Sequence, residues 1–133
     1  MGDPVNAQFT LPLFPPPLSA CFINAARNGR IVSDRYRAWK EGTDAALARC
    51  ASKYLGIPGR PTFPGRVRVT YIARKPDNRL RDIDNLLKAL NDTLTRNYIV
   101  RDDSLITDLR IRWAEENELQ GVNPISVSIV EAV

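Results

Sequence analysis

The sequence predicts an α/β protein, α+β in its arrangement: a single-layer mixed β-sheet of about four to five strands, packed with two main helices. Three observations predict it. Short runs that alternate apolar and polar residues, such as RVRVTYIAR (66–74), read as half-buried strands. Longer stretches carry apolar residues at helical spacing, and the two kinds of run follow one another along the chain. With 133 residues and 44% hydrophobic content there is material for one core and not two, so 1–133 is expected to form a single domain.

The elements are justified in order. QFTLPL (8–13) alternates enough for a first strand, which the prolines at 15–17 end. Asn28-Gly29 is a hairpin-turn signal between short arms near 21–26 and 30–32. Ser33 suits the N-cap of a helix running to about Tyr54, with Tyr36, Trp39, Leu47, Cys50 and Tyr54 as its buried stripe. A core place for Trp39 is favoured over the alternative of stacking on a base. GIPGRPTFPG (56–65) is a connecting loop. In the next strand Val67, Val69, Tyr71 and Ala73 share one face, and Arg66, Arg68 and Thr70 the other. A second helix is expected over 83–95 with Ile83, Leu87, Leu90 and Leu94 inward. LITDLRIRW (105–113) and ISVSIV (125–130) complete the strands, separated by the polar turn EENELQGVNP.

Composition removes whole classes of chemistry. The chain has no histidine, which excludes a Ser-His-Asp triad, a Cys-His pair and histidine-ligated zinc. Its two cysteines, Cys21 and Cys50, cannot build a structural zinc site alone, and Cys50, on the helical stripe, is expected to be a buried, reduced thiol. No phosphate-cradling glycine loop is present. A net charge of +4 leans towards polyanions. No apolar run approaches the roughly 18 residues of a membrane helix, and MGDPVNAQ lacks a secretion pattern, so a soluble intracellular protein is expected. What remains for an enzyme is carboxylate, lysine or hard-metal chemistry.

Two acidic pairs bracket the second helix: Asp82-x-Asp84 before it and Asp102-Asp103 after it. Residues two apart on an α-helix point about 200° apart, so Asp82 and Asp84 converge only if Asp82 lies in the loop and Asp84 opens the helix. Lys88 stands one turn above Asp84, Asp92 continues that face, and the next strand's start can return one of Asp102 and Asp103 to the helix N-terminus. Simpler roles stay open: an N-cap at Asp82 or Asp84, a surface pair between Asp84 and Lys88, and a turn at Asp102-Asp103-Ser104. One cap does not require four aspartates, however, nor the flanking Arg74, Lys75, Arg79, Arg81 and Arg101. Carboxylates for a hard cation, ringed by cations for phosphate, suit Mg²⁺-assisted phosphodiester cleavage.

The block R-D-I-D-N-L-L-K-A-L-N-D-T-L (81–94), followed by V-R-D-D-S-L-I (100–106), resembles the RusA family of Holliday-junction resolvases, and the likeness extends more weakly across most of the chain. The resemblance implies a small homodimeric endonuclease of recombination and repair, bacterial or phage-encoded and cytoplasmic, which nicks four-way DNA junctions symmetrically with Mg²⁺ (Mn²⁺ as a substitute). It implies Asp82, Asp84 and Asp103 as the catalytic, metal-site carboxylates, Lys88 at the scissile phosphate, Arg81 assisted by Arg79 at the DNA, and Asp102 as auxiliary. The family's N-terminal proline-proline-serine, asparagine and tyrosine pattern is altered here. The stretch PPPLSACFINAARNGR (15–30) has no tyrosine, and only Asn24 stands for the asparagine. Two other readings are a junction-binding protein of the same fold that does not cut, and a metal-dependent nuclease acting on other branched DNA or on nucleotides.

Overall fold

The computed structural model describes residues 6–27 and 29–132. In chain order they form β1 (Asn6–Leu11), α1 (Leu18–Cys21, one turn), β2 (Phe22–Ala25), β3 (Gly29–Val32), α2 (Asp34–Cys50), β4 (Val67–Ala73), α3 (Leu87–Arg96), β5 (Ile106–Trp113) and β6 (Ile125–Glu131), with 3-10 turns at Ser52–Tyr54, Ile83–Leu86 and Asp103–Leu105. Four strands make one mixed sheet in the order β1-β6-β4-β5, and β2 and β3 form a separate antiparallel ribbon. β4 runs antiparallel to β6 and parallel to β5. A parallel pair needs a crossover, and α3 supplies it. The expected α+β class and element order are found, and β4 alternates as expected; β5 does not, since Leu109 is exposed like its polar neighbours Asp108 and Arg110.

β1 lies two residues earlier than expected, because Pro12 has no amide to extend the ladder beyond the Leu11–Ile125 pairing. Gly29 takes a left-handed φ of 66°, as the hairpin turn requires, while Asn28 of that signal lies outside the described residues. The Ser33 hydroxyl accepts the Tyr36 amide at 3.0 Å, capping α2 as its type suggests. α2 ends at Cys50 and continues only as the Ser52–Tyr54 turn. Cys50 is exposed, contrary to expectation. By angle it falls on the stripe, but as the last helical residue it borders an open hollow with Gln8, Thr10 and Lys53, and burial passes to Ala51. The buried thiol is Cys21. Trp39 is core, its indole N–H donating to the Leu13 carbonyl at 3.1 Å.

Alternation in β4 places Val67, Val69, Tyr71 and Ala73 in the core, where they meet Ile125, Val127 and Ile129 of β6 and Leu86, Ala89, Leu90 and Leu94 of the second helical segment. Burying each large apolar side chain contributes about 1.5–3 kcal/mol before entropy is counted. That second segment is not one helix. Its first turn, Ile83–Leu86, is 3-10, which at three residues per turn shifts the phase of the apolar stripe. Leu86 and Ala89 are therefore buried, while Ile83 and Leu87 are half-buried. In the loop before β4, Gly56 has room for no side chain: an added Cβ would stand 2.1 Å from the Tyr98 carbonyl oxygen.

Candidate active site

Two tyrosines hold α3 in place. The Tyr71 hydroxyl, from the buried face of β4, donates to Asn91 Oδ1 at 2.7 Å. The Tyr36 hydroxyl, from α2, donates to Asp92 Oδ2 at 2.8 Å. Burial pushes both phenols above their ordinary range, Tyr36 further so through its bond to the Asp92 carboxylate and Tyr71 through the charges of Asp103 and Asp92. Both therefore remain neutral donors at physiological pH. On the outward side, Lys88 Nζ lies 3.2 Å from Asp92 Oδ1. The side chain one turn above Lys88 takes its charge, and Asp84 does not. Asp92 thus joins α2, α3 and the site lysine, a role for which the helical spacing of 88 and 92 was the only signal in the sequence.

The acidic pairs resolve into different local roles. Asp82 is in extended conformation (φ −81°, ψ 112°) just before the 3-10 turn, and Asp84 is in that turn, which is the loop-then-helix arrangement convergence needs. The Asp82 side chain caps nothing, so the capping role does not apply to it. Asp102, by contrast, is a turn residue: its Oδ2 accepts the Ser104 amide at 3.1 Å and also the Ser104 hydroxyl. Those bonds, the hydroxyl's first, hold its carboxyl below the usual range. Asp103 is different. Partial burial raises its carboxyl, the Asp92 charge adds to this, and Lys88 acts in the opposite direction. The turn bearing Asp103 packs on α3, and β5, which follows it, packs on the turn bearing Asp84.

The donor chemistry fits a hard cation, since Asp82, Asp84 and Asp103 offer only carboxylate oxygens in a chain without histidine. Among the described residues, however, no group of three or more acidic or thiol side chains stands close enough to hold an ion.

Beside Asp82 opens a groove of about 520 Å³ whose lining includes Phe14, Lys75, Leu80, Arg81 and Asn85. The predicted cations take unequal parts in it. Arg81 is braced by Asp77 through Nε at 3.2 Å and Nη2 at 2.7 Å, and Arg79 stands 3.8 Å from the same carboxylate. Lys75 lies 5.5 Å over the Trp113 ring and Arg81 5.8 Å over Phe14. Arg74 points elsewhere: its Nη2 donates to the carbonyls of Leu119 at 2.6 Å and Gly121 at 3.2 Å, tying down the β5–β6 connection. Arg101 is exposed on the loop before Asp102. Phe14 and Asn85 were not anticipated; a phenylalanine before a proline run carries no signal of its own.

Fold and site together describe a small mixed-sheet α/β protein with carboxylates on the turns before and after the crossover helix, a lysine on that helix and arginines beside its first turn. Residues 23–129, well over half of the chain, match the Endodeoxyribonuclease RusA family, and the chain belongs to it. It is also similar to the crossover junction endodeoxyribonuclease rusA of Enterobacteria phage HK97, at 44% identity over 46 residues. That match covers 35% of this chain and 38% of the phage protein, well under two thirds of its length. No helix among the described residues is long and apolar enough to cross a membrane.

Proposed function

We propose that this chain is a structure-specific endonuclease that resolves four-way DNA junctions by paired symmetric nicks in recombination and repair, working as a homodimer with Mg²⁺ or, in its place, Mn²⁺. One observation carries the reading: the family's carboxylate block stands here with Asp82 extended, Asp84 in the following turn, and Asp103 brought against α3 within the influence of Lys88. Asp82, Asp84 and Asp103 would hold the cation. When bound there, it would supply an activated water at neutral pH and neutralise phosphate charge.

The chain's own groups do the rest. Lys88 offsets the negative charge that develops on the scissile phosphate, and Asp92 keeps its ammonium on that side of α3. Arg81, stiffened by Asp77, grips a backbone phosphate beside Asp82, with Arg79, Lys75 and Arg101 adding sequence-independent attraction. A twofold dimer would present two such sites to a twofold substrate, so paired nicks follow from symmetry. The N-terminal stretch 15–30 contributes Pro17 to the groove, which supports a part for it in substrate contact.

A second reading is a junction-binding protein of the same fold that does not cut; Asp82, Asp84, Lys88 and Asp103 argue against it, because a pure binder gains nothing from carboxylates facing phosphate. The test is incubation with an end-labelled four-way junction and with linear duplex, in Mg²⁺ and in EDTA. Nicks in the junction alone, abolished by EDTA, support the nuclease. Tight junction binding without nicks in either Mg²⁺ or Mn²⁺ supports the binding protein.

A further inference from the structure

The groove at Asp82 has a wall for which the chemistry above has no use. Leu80 is 97% exposed, more than any other large apolar side chain among the described residues. A lone surface leucine is ordinary. This one sits between Arg79 and Arg81, two residues before Asp82, and lines the groove with Phe14, Pro17 and Leu86. The Phe14 ring is stacked on Trp113 at 6.3 Å between centroids and 7° between planes. Lys75 lies over the Trp113 ring and Arg81 over the Phe14 ring. The groove thus brings apolar side chains and two cations together beside Asp82 and Asn85.

A ligand with a flat apolar ring joined to a phosphate matches both features, and an unstacked nucleotide is such a ligand. In a continuous duplex every base is stacked and none is available. At a branch point a base is more easily displaced, because part of its stacking is already lost. An apolar side chain projecting between two phosphate-binding arginines has the build of the wedges that proteins insert between base steps. We propose that Leu80 is such a wedge: it enters the stack at the branch point, and the groove beside Asp82 receives the displaced base. This inference rests on branched DNA being the substrate, and it makes Leu80 a residue that determines specificity.

The experiment places 2-aminopurine, which brightens when unstacked, at the branch point of a synthetic four-way junction, and binds the protein in EDTA so that no strand is cut. Wild type should raise the fluorescence several-fold on the junction and little on linear duplex. Leu80→Ala, at an exposed position with no packing to lose, should abolish the rise at saturating protein and lower the junction-to-duplex affinity ratio by about tenfold. Leu80→Met should restore both. A full rise with Leu80→Ala would overturn the wedge alone, since the junction would still be recognised and opened. Wild type binding junction and duplex equally would overturn the substrate reading and the wedge together.

Discussion

Lys88 and Asp92 stand one turn apart on α3 with Nζ 3.2 Å from Oδ1, and the same carboxylate accepts the Tyr36 hydroxyl through its other oxygen. A charge on the site's lysine is thereby tied to the packing of α2 on α3. Asp92→Ala should leave the Tyr36 hydroxyl without its partner and cost about 1–3 kcal/mol in urea denaturation. Tyr36→Phe should cost about 1 kcal/mol while leaving the Lys88 pair, and hence any cleavage, nearly intact.

Removing the ammonium itself should separate binding from chemistry. Lys88→Ala is expected to bind a four-way junction with little change and to cut it about 10²-fold more slowly, the loss typical of one charge-stabilising donor. Single-turnover rates at saturating protein are the check. Weakened binding with an intact rate would make Lys88 a residue that only positions the DNA.

The arginines should divide in salt titrations. Arg79→Ala and Arg101→Ala should each lower the slope of log affinity against log salt by about one. Arg74→Ala should leave the slope unchanged and instead speed hydrogen exchange over 114–124, because its guanidinium is occupied with the Leu119 and Gly121 carbonyls. A lower slope for Arg74→Ala would return it to the DNA contacts expected from sequence.

Acid should weaken the joint between α2 and the end of α3. Burial alone would raise the Asp44 carboxyl, but hydrogen bonds from Arg96 (2.9 and 2.8 Å) and Asn97 (3.0 Å), with the positive charge of Arg96, hold it below its ordinary value. A carboxyl depressed in the folded state stabilises the fold above its unfolded pKa of about 3.9, and the contribution is lost as pH falls through the folded value. Asp44→Asn should therefore cost about 1 kcal/mol near neutrality, a modest figure because the pair is partly exposed. The gap from wild type should be smaller in acid, below that ordinary value, than at neutrality. Urea unfolding at the two pH values decides it, and a gap independent of pH would contradict the assignment.

Much of this was legible in the sequence wherever a residue's type constrains its own backbone or face. The β4 alternation, the Ser33 cap and the loop-then-turn placement of Asp82 and Asp84 depend on local geometry, and each is found. What failed depended on partners distant in sequence. Spacing left a pair of Lys88 with Asp84 open, whereas Asp92 satisfies the same spacing on the other side and is also fixed by Tyr36, 56 residues away. Cys50 obeyed the helical period but lies where the helix stops, and periodicity does not mark an end. The bonds of Arg74 to the β5–β6 connection, some 45 residues on, likewise had no signal in the sequence.

In the proposed function Asp82 and Asp103 belong to a cleavage site, while Asp102, next to Asp103, shapes a turn. The measurement is junction cleavage in Mg²⁺ by Asp82→Asn, Asp103→Asn and Asp102→Asn side by side, with junction binding recorded for each. The first two should bind and cut about 10²–10³-fold more slowly, while Asp102→Asn, which can still accept from Ser104, should cut within several-fold of wild type. Asp103→Asn cutting at the wild-type rate, or Asp102→Asn as inert as the other two, would contradict it.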